Sequence, residues 1–289
     1  MKKIDELKDK IERFLDNRER KALIAKLKSM SDDELEQYVM KQIKKDSKDA
    51  KKTVVTAIQT MDEPEKQLEL TAQISDELTK TERSKIIESI DESAILFDDN
   101  GIDIIKGLDK GQKVDIVERI ISNQEIKVRT MSLEEIPEVI DQMYYLINEA
   151  KDSSVLNYIY TVRRRLESEK DNSSERKNVE SQIKLKLIRL AAKKILCNYK
   201  NIGYSMQIRE FMKQTIPENI PDEKKREIFF DAIELEGNKL GIKDSKNKIA
   251  ELLKGEEERY RQGEIKKKER DSGKASLNAK KGHQFPEEK

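Results

Sequence analysis

The segment Met30-Ser31-Asp32-Asp33-Glu34 carries the pattern that decides the fold: an apolar residue, a capping residue, and a Glu three positions after the cap. Met61-Asp62-Glu63-Pro64-Glu65 and Met131-Ser132-Leu133-Glu134-Glu135 repeat this pattern. In such a capping box the Ser or Asp oxygen accepts a hydrogen bond from a free N–H of the first helical turn, and the Glu reaches back to the N–H of the capping residue. The sequence therefore predicts that helices begin at these three segments.

The predicted helix starts follow one another at similar intervals. Ile90-Asp91 adds a start without the Glu, so starts at 31, 62 and 91 are separated by 31 and 29 residues, and Ser132 comes 41 residues later. This period is typical of helix pairs that stack as a solenoid. The core positions do not visibly repeat with the caps, and a helical bundle also needs caps. A helical bundle is therefore the alternative to the solenoid. Pro137, in the fifth position after Ser132, requires that helix to kink or to begin later.

Apolar residues recur at the three- and four-residue intervals that place side chains on one face of a helix. These stripes are Ile4, Leu7, Ile11 and Phe14; Leu35, Val39 and Ile43; Leu68, Ala72, Ile74 and Leu78; and Ile249, Leu252, Leu253 and Tyr260. Glycine and proline number only 10 and 5, and hardly any segment alternates as a strand does. We therefore predict an all-α protein, either a helical bundle or a short α-solenoid of helix pairs.

The composition limits how these helices can be arranged. Of the 289 residues, 35% are hydrophobic and 40% are charged, which suits thin helical layers better than one thick core. No hydrophobic side chain occurs from Glu167 to Asn178, and apolar residues become sparse after Lys254. We predict a helical domain at 1–168, a linker at 169–176, a smaller helical module at 177–261 and a disordered tail at 262–289.

The formal net charge of +1 hides a strong segregation of charge. Residues 1–61 hold 16 basic and 12 acidic groups, a net charge of +4; residues 62–149 hold 10 and 22, a net charge of −12; residues 150–289 hold 33 and 24, a net charge of +9. An acidic middle and a basic C-terminal half favour charged partners or self-association. The two segments could also pair with each other inside the fold.

The first candidate contact surface is a basic stripe on the predicted helix Val179–Tyr199. Its members are Lys186, Arg189, Lys193 and Lys200. Apolar residues occupy the opposite side of that helix, so we expect the stripe to be exposed. It could bind the phosphates of a nucleic acid, or it could be a solvated face or a face paired with the acidic segment.

A second candidate surface combines aromatic and basic residues. Arg163, Arg164 and Arg165 follow Tyr158 and Tyr160, and aromatic rings interleaved with Arg can stack on single-stranded nucleic acid. Glu167 and Glu169 lie four residues after Arg163 and Arg165, however, at the spacing of ordinary ion pairs within a helix. The basic residues between 264 and 281 could tether a polyanion, or the tail could simply aid solubility.

The sequence offers little catalytic chemistry. The only histidine, His283, lies in the predicted tail, and the only cysteine, Cys197, is expected to pack as a small hydrophobe. No signal-peptide pattern is present, and the longest uncharged stretch is the ten residues Ser153–Val162. We therefore expect a cytoplasmic protein without membrane, cofactor or metal: a non-enzymatic scaffold that binds protein partners or itself, with nucleic-acid binding as the alternative.

Overall fold

A computed structural model describes residues 20–45, 47–168, 173–201, 204–216 and 220–255, together with residues 258 and 262. Every regular element in these ranges is helical, which confirms the all-α prediction. The first apolar stripe and all of the predicted tail except Gln262 lie outside the described residues.

The chain divides into two compact units, Met1–Leu190 and Ala191–Lys289. The helices of the first unit are α1 (residues 20–27), α2 (Asp32–Ile43), α3 (Lys48–Ile58), α4 (Pro64–Gln73), α5 (Lys80–Ile87), α6 (Glu92–Phe97), α7 (Asp99–Lys106), α8 (Lys110–Lys127), α9 (Ile136–Leu146), a short 3-10 helix (Ile147–Glu149) and α10 (Asp152–Ser168). The division falls inside α11 (Ser174–Asn198), beyond the interruption that the sequence suggested as a linker. The second unit continues with α12 (Ser205–Thr215), α13 (Asp222–Lys239) and α14 (residues 245–255).

Two of the predicted helix caps, at Ser31 and Asp91, are present. Ser31 and Glu34 make the complete capping box of α2, and Asp91 caps α6 by accepting from the N–H of Ser93 at 2.9 Å. Thr79 and Glu82 form a further capping box on α5 that was not predicted, although Leu78, Thr79 and Glu82 follow the same sequence pattern. These caps satisfy backbone donors that a helix leaves free in its first turn.

The predicted capping box at Asp62 is wrong. Helix α4 begins at Pro64, and its capping residue, Glu63, makes no side-chain hydrogen bond to the first turn. The N–H groups of Asp62 and Glu63 instead donate to the carboxylate of Asp32, at 3.1 and 3.0 Å. The cap is thus supplied by the first turn of α2 rather than by the local sequence.

At the third predicted box, Pro137 has the expected effect. Ser132 donates its N–H to Glu135 Oε2 at 2.8 Å, which is half of a capping box, but residues 133–135 form a turn and α9 begins only at Ile136. Pro137 therefore lies in the first helical turn, where its missing N–H leaves no hydrogen bond unmade.

The helices of the first unit pack in two ways. Neighbours along the chain contact each other, as α2 does α3 and α6 does α7. Alternate helices also contact: α3 with α5, α5 with α7, α4 with α6, α6 with α8, and α8 with α10. Contacts between both neighbouring and alternate helices are typical of stacked helix pairs, in which each pair buries its apolar faces against the next. The predicted core residues Leu35, Val39 and Leu68 are all buried in this stack.

Gly101 lies inside α7 in ordinary helical conformation. A Cβ added there would lie 2.7 Å from the backbone oxygen of Ile95. The absence of a side chain at this position therefore permits the close approach of α7 to α6, while the carboxylate of Asp98 caps α7.

In the second unit, α13 ends in a left-handed glycine. Gly241 has φ of +69°, its N–H donates to Asn238 O at 3.2 Å, and the N–H of Ile242 donates to Gly237 O at 2.8 Å. This is the Schellman arrangement, in which glycine at the position after the cap avoids a steric penalty. Ser245 then donates its hydroxyl to Ile233 O at 3.1 Å, which ties the start of α14 to α13.

Candidate interaction surface

The basic stripe predicted on α11 is not the exposed face that the sequence suggested. Lys193 is buried, with 6% of its surface accessible, and Lys186 and Arg189 are half-buried. Lys186 donates to Pro137 O at 3.3 Å and forms an ion pair with Asp141. Only Lys200 is exposed, and its ammonium lies 5.9 Å from the ring centre of Tyr199. Lys200 lies in the turn after the last residue of α11, and helical spacing could not show that the side chain of Lys193 is buried.

The arginine cluster on α10 is likewise engaged within the protein. Arg163 Nε donates to Glu167 Oε1 at 2.8 Å, as its four-residue spacing predicted. Arg164 is exposed; its Nε donates to Tyr160 Oη at 2.7 Å, and its guanidinium lies 5.2 Å from the centre of the same ring. Arg165 is half-buried, and Glu169 lies outside the described residues. Of the seven candidate residues, only Lys200 and Arg164 are exposed.

Cys197 also departs from its expected setting. It was expected to pack against apolar neighbours, but its side chain is exposed. Cys197 is the residue before the last in α11, where the continuous run of buried side chains from Leu190 to Leu196 ends. Periodicity alone did not reveal where along the helix the packing stops.

In the first unit, acidic side chains of the middle segment hold the helices that follow. Glu118 on α8 accepts from the N–H of Lys151 at 2.7 Å and from the hydroxyl of Ser154 at 2.6 Å. Glu125, two turns further along α8, accepts from the hydroxyl of Thr161 at 3.2 Å. These contacts fix the register of α8 against α10. Part of the acidic segment therefore stabilises the packing of the helices.

The other flank of α8 is bound to α6 in the same manner. Asn123 donates to Glu92 Oε2 at 3.1 Å, and Gln124 donates to Ser93 Oγ at 3.3 Å. Both pairs join residues 31 positions apart, which is the spacing of the first two predicted helix starts. These hydrogen bonds hold α8 against α6.

Between these two flanks lies the solvent-exposed strip of α8. At about 100° per residue, Asp115, Ser122 and Ile126 fall between the side chains that face α10 and those that face α6. All three are exposed, whereas Ile116, Val117, Ile120 and Ile121 on the opposite side are buried. Ile126 is therefore an apolar side chain directed to solvent, with 66% of its surface accessible.

The neighbouring helices α6 and α10 carry exposed apolar side chains at matching levels. Phe97 is one turn after Ser93, which meets Gln124 of α8, and it is 46% exposed. Tyr160 comes directly before Thr161, which meets Glu125 of α8, and it is 43% exposed. We call Phe97, Ile126 and Tyr160 the apolar row. Helices in contact are separated by about 8 to 10 Å, so the row extends across about 20 Å of one layer.

The sequence reading considered Tyr160 but missed Phe97 and Ile126. One signal was available for Ile126, because it falls outside the apolar arc formed by Ile116, Ile120 and Val117 on a helix of 18 residues. The significance of this position depends on Phe97 and Tyr160, which are far away in sequence, and periodicity within one helix cannot relate them.

The described ranges contain no group of three or more His, Cys, Asp or Glu side chains placed to hold a metal ion. Within the same ranges, none of the helices is both long enough and apolar enough to cross a lipid bilayer. Comparisons of the chain with protein-family models, with curated proteins and with solved structures find no match.

Proposed function

We propose that this protein is a non-enzymatic adaptor that binds a protein surface through the exposed face of α6, α8 and α10. The observation that carries the proposal is the apolar row: α6, α8 and α10, which contact one another in that order, each carry a large apolar side chain exposed to solvent. Exposed apolar side chains rimmed by polar ones are characteristic of protein interaction sites, and aromatic residues contribute strongly to such interfaces.

The surroundings of the row support the same function. Exposed polar residues border it, among them Asp115, Ser122 and Arg164. The hydrogen bonds that Glu118 and Glu125 accept from α10, and those between α8 and α6, hold the three helices in register. A preorganised surface of this kind loses little conformational entropy when it binds.

The proposal is tested with a photo-reactive phenylalanine analogue incorporated at position 126 of the full chain in the native host cells. Irradiation is expected to give a covalent adduct with a protein, detected as a larger species on denaturing gels. The control is the same analogue at the exposed position of Gln182 on α11, which lies outside the row. Absence of a protein adduct at positions 97, 126 and 160 would contradict the proposed function.

The alternative, nucleic-acid binding by the basic residues, depends on Lys200 and Arg164 as the exposed members of the candidate set. The discriminating measurement is binding to single- and double-stranded oligonucleotides at two salt concentrations, because each neutralised phosphate contributes a slope of about −0.7 to −0.9 to the dependence of log affinity on log salt.

A further inference from the structure

We propose that the partner of the apolar row is a second copy of this chain, bound about a two-fold axis that passes near Ile126. This inference rests on the proposed function, since it takes the row to be a docking surface, and it names the occupant. Two features support it: the order of residues along the row and the charges at its two ends.

The row changes from acidic to basic along its length. At one end, the exposed Asp99 follows Phe97 by two residues, at the first position of α7. At the other end, the exposed Arg164 lies against the ring of Tyr160. Ile126 lies between them; beside it, Glu125 and Arg129 neutralise each other in an ion pair of 3.4 Å.

A two-fold interface requires a surface that is complementary to itself. If a second copy is laid antiparallel on the row, Ile126 meets its own counterpart, and Phe97 meets the partner's Tyr160. Asp99 then faces the partner's Arg164, and the reciprocal pair forms at the other end of the row. A partner that is wholly acidic or wholly basic matches only one end.

Opposite charges at the two ends of the row would fix the antiparallel orientation and reject the parallel one, because like charges would then be juxtaposed.

The first test is the mass of the purified full chain by analytical ultracentrifugation at concentrations up to about 100 µM, which would populate any dimer whose dissociation constant is micromolar. We expect a reversible dimer in the wild type and a monomer in Ile126→Asp. The matched control is Leu185→Asp on α11, which also replaces an exposed apolar side chain but lies outside the row, and which should remain dimeric. Circular dichroism should show that both variants are folded.

The second test is a charge exchange. Arg164→Asp and Asp99→Arg should each weaken the dimer by about tenfold or more, and the double variant should recover most of the wild-type affinity because both reciprocal pairs are restored. A monomeric wild type, a dimer unaffected by Ile126→Asp, or a double variant weaker than either single variant would overturn the inference. If position 126 forms adducts only with a different protein while the purified chain is monomeric, the adaptor function stands and the homodimer is wrong.

Discussion

Oδ2 of Asp32 accepts a hydrogen bond from the backbone N–H of Glu63 at 3.0 Å, and the two residues are 31 positions apart. Its Oδ1 accepts from the N–H of Asp62 at 3.1 Å. Asp32 lies in the first turn of α2, and Glu63 is the capping residue of α4. The start of one helix pair thus caps the start of the next. The number of residues between the two helix starts is therefore also the number between two residues that contact each other.

We expect Asp32→Ala to lower the free energy of unfolding by about 0.5 to 2 kcal/mol, the cost of losing a helix cap. The control is Asp33→Ala. Asp33 lies in the same first turn but makes an exposed ion pair with Lys66 at 3.1 Å, which should contribute about 1 kcal/mol or less. Urea denaturation monitored by circular dichroism measures both changes. An equal loss in the two variants would show that Asp32 acts only through its charge near the start of α2.

Two glycines should respond in opposite ways to alanine. Gly101→Ala places a Cβ 2.7 Å from the backbone oxygen of Ile95 and should destabilise the protein by about 1 to 3 kcal/mol. Gly111 lies in the first turn of α8 and has no atom within 4 Å of an added Cβ, so Gly111→Ala should be neutral or stabilise by up to about 1 kcal/mol. Thermal unfolding of the two variants compares them directly. Equal transition temperatures would contradict the close approach of α6 and α7.

Tyr158 is buried completely on α10, and its hydroxyl has no hydrogen-bond partner in the part of the chain that the structure describes. Burial raises the pKa of this hydroxyl, since the charged form would be desolvated. Because an unsatisfied buried hydroxyl costs about 1 to 3 kcal/mol, Tyr158→Phe should leave the protein equally stable or make it more stable by about 1 kcal/mol. Tyr145→Phe, at an exposed position, is the control and should change nothing. A clear loss of stability in Tyr158→Phe would show that the hydroxyl is bound.

The partly buried ion pair of Arg176 and Glu180 near the start of α11 should make stability depend on pH. Burial alone would raise the pKa of Glu180, but hydrogen bonds from Arg176 and Lys184 outweigh it and leave the pKa below its usual value. Stabilisation by Glu180 is therefore complete above its unfolded pKa of about 4.3 and is lost as the pH falls through the lower pKa of the folded state.

At neutral pH we accordingly expect Glu180→Gln to cost about 1 to 2 kcal/mol, and the difference from wild type should disappear in acid. The control is Glu167→Gln. It alters a similar Arg–Glu pair in which the Glu is 57% exposed, and it should have an effect of a few tenths of a kcal/mol. Denaturation curves at several pH values test both expectations. A difference that grows as the pH falls would contradict the assigned direction of the pKa shift.

Local signals in the sequence account for much of the fold. The Ser31 box, the Asp91 cap and the stripe of Leu35, Val39 and Ile43 each depend on residues within a few positions of one another, and all three are present. The predictions failed where a distant residue intervenes. Asp32 on α2, and not a residue beside α4, accepts the hydrogen bond from the capping residue of α4. Lys193 is buried although the pattern of its own helix predicted an exposed side chain.

The candidate surface was predictable to a smaller extent for the same reason. Tyr160 and Arg164 could be identified as candidates because they are close in sequence, and they do contact each other. The row becomes visible only when the contacts of α8 with α6 and α10 place Phe97 and Ile126 beside Tyr160. The exposure of a single apolar residue says little, whereas its alignment with others across a layer defines a surface.

The measurement that most directly tests the account is amide hydrogen exchange of the full chain, resolved by residue. Stacking of alternate helices predicts that the amides of α4, α6, α8 and α10 exchange slowly and together, because each of these helices is held by the next in the layer. Exchange throughout residues 32–168 at the rate of an unstructured chain would contradict the stacked helices, and with them the surface on which the apolar row depends.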